Sequence, residues 1–168
     1  MKRLAVLGLF VIVASSVSAQ GPQTVGTSHA ENGYDYKDTQ VTVLAVPTEA
    51  GKLWLNADYS YPLLFSERDK LANLVQTAAR KIDIATANKT TISFSQEIGR
   101  FYTEDGALII VSFDTDGYGL SNAVVRITGD GNSDILLLNK KDTEDFVTVL
   151  GNANSLIDDY QKQVALFK

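Results

Sequence analysis

Between residues 91 and 139 four segments rich in β-branched and apolar residues alternate with short breaks, each of which carries a glycine. The segments are 91–103, 107–114, 120–128 and 134–139; the breaks are Glu104-Asp105-Gly106, residues 115–119 and residues 129–133. Runs of this length with period-two patterning, punctuated by turn residues, predict antiparallel strands joined as a meander. A chain with such a block must build a sheet, and the rest of the sequence has to cover it.

Two segments before the block repeat the β pattern. Residues 39–46 place Val41, Val43 and Ala45 on one face, and residues 52–58 do the same with Leu53, Leu55 and Ala57. Pro47 ends the first, so a hairpin through Glu49-Ala50-Gly51 is predicted. Two helices follow from the 3.6-residue period. The first opens at Ser66, with Asp69 three residues on as in a capping box, and carries Leu71, Leu74, Val75, Ala78, Ile82 and Ala85. The second opens near Asp142 or Thr143, with a stripe through Phe146, Val149, Leu150, Ala153, Leu156, Ile157, Tyr160 and Val164. The predicted order is ββαββββα, an α+β domain with a single antiparallel twisted sheet of about six strands and two amphipathic helices. No sequence repeat is visible.

Residues 108–113 and 135–138 are apolar at both alternating positions, unlike strands of a sheet that is wet on one side. The arrangement expected is one helix on each face. In the alternative, both helices share a face and the other is covered from outside, by a second copy in a homodimer or by an exported protein partner.

The first nineteen residues determine the destination. Lys2 and Arg3 precede a short apolar run, residues 4–14, and Val17-Ser18-Ala19 offers small side chains to a signal peptidase. The run is too short for a membrane span of about 20 residues, so it reads as a signal peptide cleaved before Gln20. Its composition resembles that of bacterial exported proteins, which places the mature chain in the periplasm or outside the cell, with no membrane attachment after cleavage. Residues 20–38, polar and without a sustained period, read as a flexible lead-in to one domain spanning residues 39–168.

Charge and composition exclude several functions. The chain has 15 Lys and Arg against 20 Asp and Glu, and loss of Lys2 and Arg3 takes its net charge from −5 to −7. Nucleic acids need a basic patch, and nothing here exceeds Lys140-Lys141 or Arg80-Lys81, so no nucleic-acid partner is expected. Cysteine is absent, which removes thiol catalysis and thiolate metal sites. The one histidine, His29, lies in the lead-in, a poor base for a catalytic triad or a zinc site.

Four weaker chemical signals remain. Asp114-x-Asp116 and Asp130-x-Asn132-x-Asp134 space oxygen ligands as a calcium loop does, but Tyr118 and Val125 spoil the first, and Ile135 and Lys141 the second. Asp-Gly hairpin turns are the simpler reading, with a looser calcium site at Asp130, Asn132 and Asp134 as the alternative. Glu97, Glu104, Asp114 and Asp116 lie on or beside the meander and are the candidates for a carboxylate-dependent hydrolase. Trp54 points away from Leu53 and Leu55, and with Tyr59 and Tyr61 offers an aromatic platform of the kind a sugar-binding module uses. No catalytic residue, cofactor or metal is therefore assigned. The sequence reads as an exported, non-enzymatic binding or protein-interaction domain, with Trp54, Tyr59 and Tyr61 as candidate ligand contacts.

Overall fold

A computed structural model describes residues 21–46 and 51–166. The leader with its cleavage site, and the predicted turn residues Glu49 and Ala50, lie outside the described residues. Eight strands and two helices follow one another: β1 (Gln23–Asn32), β2 (Asp38–Ala45), β3 (Lys52–Asn56), β4 (Ser60–Leu64), α1 (Phe65–Ala87), β5 (Ser93–Tyr102), β6 (Leu108–Asp116), β7 (Ser121–Gly129), β8 (Asn132–Leu138) and α2 (Lys140–Ala165). All strands join one antiparallel sheet in the order β4-β3-β2-β1-β8-β7-β6-β5. No helix among the described residues is long and apolar enough to cross a membrane.

The fold class is α+β, as the sequence predicts, but two strands exceed the expectation and the order is ββββαββββα. The first extra strand, β1, falls within the stretch read as a flexible lead-in. Its inward positions are Gly26, Ser28 and Ala30, so it carries no large apolar alternation. They are small because α2 lies close above them: a Cβ on Gly26 would come within 3.1 Å of both Val149 methyl groups. The second, β4, contains Pro62 and is a sheet edge, the one place where a strand tolerates the missing N–H.

The chain is thus two units of one plan, each a four-stranded meander followed by a helix, although no repeat is visible in the sequence. The helices are exchanged between units. α1 follows the first meander but lies over β6 and β7 of the second, whereas α2 lies over β1 and β2 of the first. The helices also pack on each other, where the buried Arg68 guanidinium donates to Asn154 Oδ1 at 2.7 Å and sits 4.3 Å from the Phe65 ring centre. This exchange compensates for a thin seam, because β1 and β8 pair only through Glu31 with Leu137 and Asn32 with Leu136.

Both helices occupy the same face, which corrects the expectation of one on each side. Cross-strand register settles it, since residues opposite one another share a face. Val43 pairs with Leu55 and Leu55 with Tyr61; Phe113 pairs with Ala123 and Ala123 with Leu138. These buried residues join Leu71, Val75, Phe146 and Leu150 in one core. The opposite face carries Leu44, Trp54, Leu108, Ile110, Ile135 and Leu137, half-buried and with no helix above them.

Local signals fix the element ends. α1 is capped by Leu64 rather than Ser66: the Glu67 carboxylate accepts from Leu64 N–H at 2.8 Å and from Glu104 N–H at 2.6 Å, pinning the helix start to the β5–β6 turn. α2 begins earlier than expected, with the Asn139 side chain accepting from Asp142 N–H at 3.1 Å. Asp130 and Gly131 both have positive φ, as the two central residues of a tight hairpin turn require.

Candidate functional site

Two concave regions bring together residues that the sequence keeps apart. The first is a trough on the helix-free face of the sheet, beside the seam where β1 leaves β8. Two adjoining hollows of about 360 and 380 Å³ share Glu31, Tyr36, Asn122 and Leu137. Val124, Leu137 and Leu120 supply an apolar surface together with the Tyr36 ring. Carboxylates surround it: Glu31 and Asp38 from the first meander, Asp114 and Asp116 from β6, and Asp142 from the start of α2. Among the described residues no lysine or arginine lines either hollow.

These carboxylates are held in place by short-range chemistry. The Asp114 side chain accepts from the hydroxyls of Ser95 at 2.7 Å and Ser112 at 3.0 Å. Asp116 accepts the backbone N–H groups of Tyr118 and Leu120 in the β6–β7 turn. Asp38 faces the His29 imidazole at 3.4 Å, so the histidine read as part of a loose lead-in is instead fixed on β1. Burial pushes the Asp142 carboxyl above its ordinary pKa, against the lowering pull of the Asn139 contact and of His29.

The second region is a cleft of about 360 Å³ between the β3–β4 hairpin and the turn tips of the other meander. Trp54, Tyr59 and Tyr61 all line it, along with Ser60 and Pro62. Across from them stand Asp105 and Ala107, then Gly129, Asp130 and Asn132. The three aromatics differ in exposure. Trp54 is half-buried, Tyr59 is 44% exposed and Tyr61 only 4%, so Tyr61 belongs to the core wall rather than to an open platform.

Asp134 lies beside this cleft, 2% exposed, and accepts Tyr59 N–H at 3.2 Å. Burial raises its pKa, opposed by that N–H and assisted by the nearby Asp58 carboxylate. Burial first, then the neighbouring Asp134 carboxylate, drives the pKa of the Tyr61 hydroxyl far above the ordinary phenol value. Of the looser calcium site, Asp130 and Asn132 line the cleft whereas Asp134 is buried beside it. Among the described residues no group of three or more His, Asp or Glu side chains could hold a metal ion.

The hydrolase candidates are dispersed. Glu97 pairs with Arg100, whose guanidinium holds the carboxyl below its ordinary pKa, the opposite of what a general acid needs. Glu104 contributes its backbone N–H to Glu67, and Asp114 and Asp116 belong to the trough. Of the trough's lining, the two-faced strands pointed only to Leu137 and the acidic turns to Asp114 and Asp116; Glu31, Asp38, Asp142, Leu120 and Val124 join them only through the cross-strand register. Comparison with protein-family models, with characterised proteins and with solved structures finds no match to this chain.

Proposed function

We propose that the chain, once exported, is a protein-interaction domain without an enzymatic activity of its own, and that the outer trough is its binding surface. One observation carries this reading: an apolar surface on the sheet face without helices, rimmed by five carboxylates and, among the described residues, lined by no lysine or arginine. Exposed apolar surface of this kind marks interaction sites, and the rim selects the partner's charge. The partner is a different exported protein that presents apolar side chains flanked by lysine or arginine. A second copy fits poorly, because it would bring the same acidic rim and the same negative net charge against this one.

The test uses residues 20–168 and two sets of synthetic peptides, one combining leucine with lysine and arginine, the other combining leucine with aspartate and glutamate. The basic set is expected to bind, and binding should weaken strongly between about 0.05 and 0.5 M salt as screening shortens from roughly 14 to 4 Å. Asp114→Lys combined with Asp116→Lys should reduce it about tenfold or more, since like charges across an interface cost several kcal/mol. Equal binding of the acidic set, or indifference to the double substitution, would contradict the proposal. Light scattering over a range of concentrations should return the mass of a monomer.

A further inference from the structure

The cleft beside β4 has a composition the trough lacks, and it stands independently of the interaction proposed above. We infer that it is a binding site for a neutral saccharide, held by stacking on Trp54 and Tyr59 and by hydrogen bonds to Asp130 and Asn132. Its volume, about 360 Å³, lies at the small end of the range of ligand pockets, roughly 300–1,000 Å³. One wall is aromatic and apolar, and the other carries oxygen acceptors and an amide. A sugar ring matches both, because its C–H face packs on an aromatic ring while its hydroxyls reach charge-assisted acceptors.

Asn132 selects between ligand classes, because its amide both donates and accepts. A saccharide hydroxyl satisfies both functions, whereas an ammonium group only donates and would leave the amide N–H without a ligand partner. Anions are disfavoured, because Asp105 and Asp130 line the cleft and, among the described residues, no lysine or arginine does.

Trp54 is the only tryptophan in the chain, so its fluorescence reports on the cleft alone. The experiment titrates residues 20–168 with glucose, galactose, mannose and N-acetylglucosamine and with neutral trisaccharides of each. At least one should produce a saturable change in emission that is insensitive to salt. Asp130→Ala and Tyr59→Ala should each weaken it about tenfold, the loss of one charge-assisted bond or one stacking ring; Asp116→Lys in the trough should leave it intact. No response to any sugar overturns the inference. So does a response that survives both alanine substitutions, or one produced instead by arginine methyl ester and abolished by salt.

Discussion

The inner and outer faces of the sheet use the same kind of residue to opposite ends. On the inner face Val111, Ile109 and Leu136 are excluded from water by two helices. On the outer face Ile110, Leu108 and Leu137, their neighbours in sequence, are half-buried with no helix above them. Alternation along a single strand therefore separates two environments: inward residues lie beneath the helices, and outward residues have no helix above them. Apolar content in a strand does not distinguish them; only the position of the helices does.

The largest effect should come from the inner face. Phe146 is fully buried between α2 and the sheet, and Phe146→Ala is expected to cost about 3–5 kcal/mol in chemical denaturation, from lost transfer energy and the cavity left behind. The seam between the two units comes next. Gly33 N–H donates to Ile135 carbonyl oxygen at 2.7 Å, and a Cβ at this position would lie 2.4 Å from Ile135 Cγ2. Gly33→Ala should destabilise by about 1–3 kcal/mol, as overpacking does, read as a lowered denaturation midpoint with an unchanged slope.

An outer-face substitution should invert the pattern. Leu137 lines both hollows of the trough, and Leu137→Thr should cost only about 1 kcal/mol of stability for a half-buried side chain. It should nevertheless cost most of the affinity for a basic, apolar peptide. A stability loss as large as that of Phe146→Ala would erase the distinction between the faces.

The smallest effect concerns Asp134, whose carboxyl is raised in pKa by burial. A group of this sign contributes stability when protonated, below its unfolded pKa, and loses that contribution as pH rises through its folded pKa. Above that range the charged form carries the cost of burial. Asp134→Asn keeps an acceptor for Tyr59 N–H, so it should be neutral or stabilising by up to about 1 kcal/mol at pH 7. Melting curves should show the advantage fading towards pH 3.

The second unit was legible in the sequence because β6, β7 and β8 alternate β-branched residues and close on glycines, with Gly106 and Gly131 at the positive φ their turns demand. β1 was not, because helix packing restricts its inward residues to Gly26, Ser28 and Ala30, which carry no hydrophobic period. Pro62 hid β4, since its edge position is a property of the sheet rather than of the segment. The trough was half legible. Leu137 lies in a strand apolar on both faces, but Glu31, Asp114 and Asp142 span 111 residues of sequence and meet only through the β1–β8 seam. Trp54, Tyr59 and Tyr61 were found through their closeness in sequence. Nothing local predicted that Asp130 and Asn132 would stand opposite them.

The claim that the outer face is the binding surface is tested most directly by chemical-shift mapping of labelled residues 20–168, titrated with a leucine- and arginine-containing peptide. The amides of Glu31, Asn122, Val124 and Leu137 should shift together and saturably, while those of α1 and α2 beyond its first turn stay in place. Shifts centred on the helices, or none at the trough when the peptide is saturating, would contradict it.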